Sequence, residues 1–77
     1  MEEKYKKAFI TALSLPNDKN LVELKYNEID EWDSIGHMTL ISELEETFNI
    51  SFDTDDIVNF SSYQEGKKIL SKLGVNF

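Results

Sequence analysis

From Asp33 to Asn49 the chain runs without a proline, and its apolar residues recur at helical rather than strand spacing. Leu40, Ile41, Leu44 and Phe48 gather on one side of a helical wheel. Thr39, Ser42, Glu43, Glu45 and Glu46 mostly spread away from that side. Such a segment is an amphipathic helix with one face to bury, and its partners must come from the rest of a 77-residue chain. Asp33 and Ser34 are both good N-cap types and mark its start. Gly36 weakens the first turn slightly. Ile35 and Met38 fall off the core stripe, close to Ser34, and form a candidate contact patch.

The flanking segments supply those partners. Tyr5, Ala8, Phe9, Ala12 and Leu13 form one stripe of a first helix, predicted from about Glu2 to Leu15 and halted by Pro16. Asn17 to Asn20 is turn-like. The stretch from there to Asp33 is a long irregular loop, with Leu21, Leu24, Tyr26, Ile29 and Trp32 as anchors. Asp53 opens a short, acidic third helix after Phe52. Ser62, with Glu65 three residues on, fits a capping box for a fourth. Gly66, Ile69, Leu70 and Leu73 share one side of that helix, Lys67, Lys68 and Lys72 favour its C-terminal half, and Gly74 suits its C′ position. The expected fold is all-α: a small four-helix bundle with three main helices, a short third helix and a long loop between helices one and two. One domain is expected over residues 1–77.

Charge narrows the partners. The formal net charge is −7, and all eight lysines lie outside the stretch from Tyr26 to Gly66. That stretch carries Glu28, Asp30, Glu31, Asp33, Glu43, Glu45, Glu46, Asp53, Asp55, Asp56 and Glu65. Nucleic acid is not expected as a partner, because its phosphates would be repelled by the acidic middle of the chain. A basic protein surface is the complement, and a solvated acidic face that keeps the chain soluble is the plainer alternative. There is no cysteine, so thiol chemistry has to come from a cofactor. No apolar run has the length of a membrane span and no signal peptide is visible, so a cytoplasmic protein with no membrane partner is expected.

Asp33-Ser34-Ile35 holds the most chemistry. A helix N-terminus presents unpaired N–H groups and partial positive charge, so it accommodates a covalently attached phosphate. From position alone, either Asp33 or Ser34 is equally readable as a simple cap. The surrounding run, Glu31-Trp32-Asp33-Ser34-Ile35-Gly36-His37-Met38, then Leu40-Ile41 and Leu44-Glu45-Glu46-Thr47-Phe48, resembles the modification motif of acyl and peptidyl carrier proteins. First-helix spacing, the long loop, the acidic third helix, Phe60-Ser61-Ser62-Tyr63 and the last helix follow the order of that family, so the resemblance spans nearly the whole chain.

The resemblance implies a free-standing acyl carrier protein rather than an enzyme, monomeric because a carrier visits several partners, with no catalytic residue and no metal site of its own. Ser34 would carry 4′-phosphopantetheine, transferred from coenzyme A with magnesium by a phosphopantetheinyl transferase. Asp33 would cap the helix and help organise the transferase's magnesium. The arm's thiol would hold an acyl or aminoacyl thioester, with the acyl chain able to retreat between the helices. Acyl-loading and acyl-transfer enzymes with basic docking surfaces would read Ile35, Met38, Glu45, Glu46, Asp55 and Asp56. Gly36 and Thr39 stand where carriers of fatty-acid synthesis usually have acidic residues. The Trp-Asp-Ser-Ile-Gly-His run is more similar to dedicated carriers of specialised biosynthetic or surface-polysaccharide pathways.

His37, the only histidine, leans toward the core stripe and reads as a partly packed seam residue, with hydrogen bonding to the arm's phosphate as a lesser role. Trp32 reads as a loop anchor. Two rivals fail on the residues. A serine hydrolase built on Ser34 and His37 would need a carboxylate, an oxyanion hole and a cleft that so short a chain lacks. An EF-hand counted from Asp53 would have Val58 at its glycine position and Gln64 at its glutamate position. The alternative that survives is an unmodified carrier-like adaptor domain.

Overall fold

The computed structural model describes residues 2–77, which form four helices and no strand: α1 Glu2–Leu13, α2 Ser34–Phe48, α3 Thr54–Asn59 and α4 Tyr63–Lys72. The helices share one core, and their Cα atoms have a radius of gyration of 11.1 Å. Among the described residues no helix is long and apolar enough to cross a membrane.

Aromatic side chains make the centre of that core. Phe9 of α1 meets Tyr5, Trp32 and Tyr63 at ring-centroid distances of 5.2, 5.2 and 5.1 Å. All four are buried, and Leu40, Ile41 and Leu44 of α2 close over them with Leu70 of α4. Phe48 departs from the expected stripe. It is only partly buried, and the Lys4 ammonium lies 5.3 Å from its ring centroid. The polar ends of the aromatic cluster are satisfied in a chain. The Tyr5 hydroxyl donates to the Tyr63 carbonyl at 2.7 Å, and the Tyr63 hydroxyl donates to Glu2 at 2.6 Å. Glu2 in turn pairs with Lys67 at 2.5 Å, which fastens the start of α1 to α4. Hydrogen bonds from Lys67 and Tyr63 hold the Glu2 carboxyl below its usual range, and burial pushes both tyrosine hydroxyls up.

Three helices end alike. Ser14 (φ 55°), Asn49 (φ 54°) and Gly74 (φ 101°) adopt left-handed backbone. The next residue donates its N–H five positions back: Leu15 to Ile10, Ile50 to Glu45, and Val75 to Leu70, at 3.0–3.1 Å. This is the Schellman geometry, and it folds an apolar residue back against each helix. Gly74 thus fills its expected role. α1, by contrast, stops at Leu13 rather than Leu15, because Ser14 reverses the chain before Pro16 is reached.

The long loop is anchored as expected at Leu21, Leu24 and Trp32, which are buried, and at Ile29, which is partly so. Tyr26 is 40% exposed and lies over the surface instead. A single antiparallel bridge ties the loop to the start of α4: Tyr26 N–H to Ser61 and Tyr63 N–H to Leu24, each 2.9 Å. The reciprocal capping box forms at α3, between Asp53 and Asp56. At α4 the Ser62 hydroxyl accepts from the Glu65 N–H at 3.0 Å, while the Glu65 carboxylate pairs with Lys68.

Candidate functional site

The junction of the long loop with α2 is set by a close crossing of backbone. A side chain at Gly36 would bring its Cβ to 2.1 Å from the Glu31 carbonyl oxygen and 3.2 Å from Leu13. Only glycine lets the loop cross the first turn of α2 at that distance. Trp32 anchors the loop just before the crossing, wholly buried, and its carbonyl accepts from the Asn27 N–H at 2.9 Å.

Asp33 then leaves in extended conformation and caps the helix. Its Oδ1 accepts from the Gly36 N–H at 2.8 Å, and its carbonyl accepts from the His37 N–H at 2.7 Å. The capping role left open between Asp33 and Ser34 therefore belongs to Asp33. Ser34 is the first residue of α2, exposed, and takes no part in the cap. Beside it the first turn retains the Ser34 and Ile35 amides, which the cap does not use.

One turn on, His37 joins three parts of the fold. The Trp32 Nε1–H donates to His37 Nδ1 at 2.9 Å, and His37 Nε2 lies 2.8 Å from the Ile57 carbonyl oxygen in α3. An indole nitrogen only donates and a carbonyl only accepts. The ring is therefore neutral, with its proton on Nε2. The packed seam expected for His37 is present, but neither nitrogen is left to meet a phosphate. Beside it lies a cleft of about 260 Å³ between the loop and α3, lined by Tyr26, His37, Ile57, Val58, Phe60 and Ser61.

The outer face of α2 is open. Ile35 is 78% and Met38 52% exposed, and with Ser34, Thr39 and Ser42 they line a shallow depression. Glu46 and, on α3, Asp55 are also exposed. Two expected contact residues are not free for a partner. Glu45 is half-buried, and its carboxylate accepts the Phe52 N–H at 2.9 Å, holding the segment that leads into α3. Asp56 is only 3% exposed, because it closes the α3 capping box and pairs with Lys72 at 2.5 Å. The hydrogen bond from Lys72 holds its carboxyl below the usual range.

Val58, 74% exposed on α3, lines the cleft beside His37 and was missed by the motif. Adjacent apolar residues in so short a helix were the available signal, since Ile57 turns inward and Val58 must then face out. No family model matches the chain, and the comparisons with curated proteins and with solved structures likewise gave no match.

Proposed function

We propose that this chain is a carrier protein of the acyl-carrier type, in which Ser34 takes a 4′-phosphopantetheine group and presents an acyl or aminoacyl thioester to partner enzymes. The observation that carries this reading is the division of labour at the start of α2: Asp33 does the capping, which leaves an exposed serine hydroxyl without a structural task. The residues present fit the group. A phosphodiester on Ser34 would meet the Ser34 and Ile35 amides and the positive end of the α2 dipole. The arm, when attached, supplies the thiol that this cysteine-free chain lacks.

In the loading step the Ser34 oxygen attacks the phosphorus that becomes the diester, and the P–O bond to adenosine 3′,5′-bisphosphate breaks. The Ser34 proton passes to a base of the transferase. His37 is not arranged to take it, because both its nitrogens are engaged by Trp32 and Ile57. Asp33, the residue before Ser34, would lend its carboxylate to the transferase's magnesium. Ile35 and Met38 form the apolar part of the docking face, with Glu46 and Asp55 as its acidic part for a basic partner.

The test uses coenzyme A bearing a fluorophore, magnesium and a promiscuous phosphopantetheinyl transferase. Label should enter the unaltered chain and be absent from Ser34→Ala. Label that persists in Ser34→Ala would put the modified residue elsewhere. The exposed apolar pair Ile35 and Met38 also suits an unmodified adaptor that binds a partner through the same face. That second reading gains if neither protein is labelled.

A further inference from the structure

α3 has six residues, too few to persist as a helix without tertiary contacts. Its N-terminal half is held by the Asp56–Lys72 pair. Towards its other end, the Ile57 carbonyl belongs to the last four of the helix, which find no partner within it. That carbonyl is met by His37 Nε2–H at 2.8 Å. The same ring accepts the Trp32 indole N–H at 2.9 Å, and Trp32 is wholly buried. One imidazole thus bolts the long loop, α2 and α3 together at the edge of the cleft.

We infer that His37 is a proton-linked positioning residue, whose neutral, Nε2-protonated ring holds α3 closed over the cleft that the ring lines. A proton on Nδ1 points two N–H donors at each other and leaves a buried indole without an acceptor. The ring then leaves its seat, the Ile57 carbonyl loses its donor, and the end of α3 loosens. The cleft lined by Tyr26, His37, Ile57, Val58, Phe60 and Ser61 widens as it does so.

Of the groups packed on the ring, Trp32, Ile57 and Phe60 do not titrate, and Tyr26, 5.1 Å away between ring centroids, is a phenol. The charged side chains on the segments nearest those contacts are Glu28, Asp30 and Glu31 of the loop, the α2 cap Asp33, and the α3 cap Asp53 with Asp55 and Asp56; farther along the same elements lie Asp18, Lys19, Glu23 and Lys25 of the loop and Glu43, Glu45 and Glu46 of α2. Among the described residues none of them pairs with His37: the ion pairs are Glu2–Lys67, Glu65–Lys68 and Asp56–Lys72. The device works whether or not Ser34 is modified.

The test is carried out on the unmodified full chain by NMR. Imidazole ¹⁵N shifts should show a protonated Nε2 and a bare Nδ1 at pH 7.5. Between pH 7.5 and 5.5, hydrogen-exchange protection of the α3 amides and the Trp32 indole should fall about tenfold, in step with the ring's titration. His37→Gln keeps a donor for Ile57 but cannot titrate, so its protection should stay flat over that range. If His37→Gln fails to fold, the unaltered chain still decides, through the coincidence of ring titration and lost protection. A proton found on Nδ1 at pH 7.5, unchanged protection through the titration, or the same pH dependence in His37→Gln would each overturn the inference.

Discussion

Gly36 reads differently in the sequence and in space. Along the chain it is a weak helix former at the start of an otherwise favourable helix. In the fold it is the point where the Glu31 carbonyl crosses α2, with no room for even a methyl group. Alanine would gain about 1 kcal/mol in helix propensity. Displacing backbone costs about 1–3 kcal/mol, and at 2.1 Å the cost belongs at the upper end, so Gly36→Ala should lower stability by up to about 2 kcal/mol in urea unfolding. Asp33 permits a cleaner separation of roles. Asp33→Ala removes the bond to the Gly36 N–H and should cost about 1 kcal/mol, whereas Asp33→Asn keeps the cap and should leave stability within about 0.5 kcal/mol. Under the carrier reading Asp33→Asn still slows loading of Ser34, because the charge offered to magnesium is gone. Equal loading rates for Asp33→Asn and the unaltered chain would remove Asp33 from that role.

At the scale of elements, helix positions were legible because buried stripes repeat with the helical period, and α2 runs from Ser34 to Phe48 as its pattern required. The end of α1 was not. A serine in left-handed backbone carries no compositional signal, and Pro16 was the more visible stop. The acidic start of α3 was legible as a cap, but not which of its carboxylates would be turned inward. Asp56 is consumed by the capping box and by Lys72, a partner 16 positions away that no local pattern reveals. The consequence is a pH dependence of definite sign. The folded-state carboxyl sits below its unfolded value of 3.8, so its contribution is complete above about pH 4 and is lost as pH falls further. Asp56→Asn should therefore be less stable than the unaltered chain at pH 7. It should also lose less stability between pH 4 and pH 3 when the two are compared by chemical denaturation.

Across the whole molecule the charge is lopsided, and the fold accentuates it. The three lysines of α4 are each paired, with Glu2, Glu65 and Asp56. Those contacts leave the acidic side chains of the loop, α2 and α3 largely uncompensated within a net charge of −7. Salt screens both the pairs and the repulsion. Exposed pairs are worth about 0–1 kcal/mol each, so relief of like-charge repulsion should win. Raising sodium chloride from 20 to 300 mM should lift the thermal midpoint by about 4 °C or more. An unchanged or lower midpoint would mean that the pairs outweigh the repulsion.

The candidate site was legible in outline, since Asp33, Ser34, Ile35 and Met38 could be named from a motif and a helical wheel. The wheel could not show that Asp33 rather than Ser34 does the capping, or that His37 spends both nitrogens on Trp32 and Ile57. Both depend on how the loop returns to the helix, a non-local matter settled by Gly36 and Trp32. The central claim is that Ser34 is a site of attachment. Intact mass of the chain after incubation with coenzyme A, magnesium and the phosphopantetheinyl transferase of its own host tests that claim most directly. A gain of one 4′-phosphopantetheine, localised to Ser34 by fragmentation, is expected; an unchanged mass, with that transferase active on a known carrier protein, would rule the attachment out.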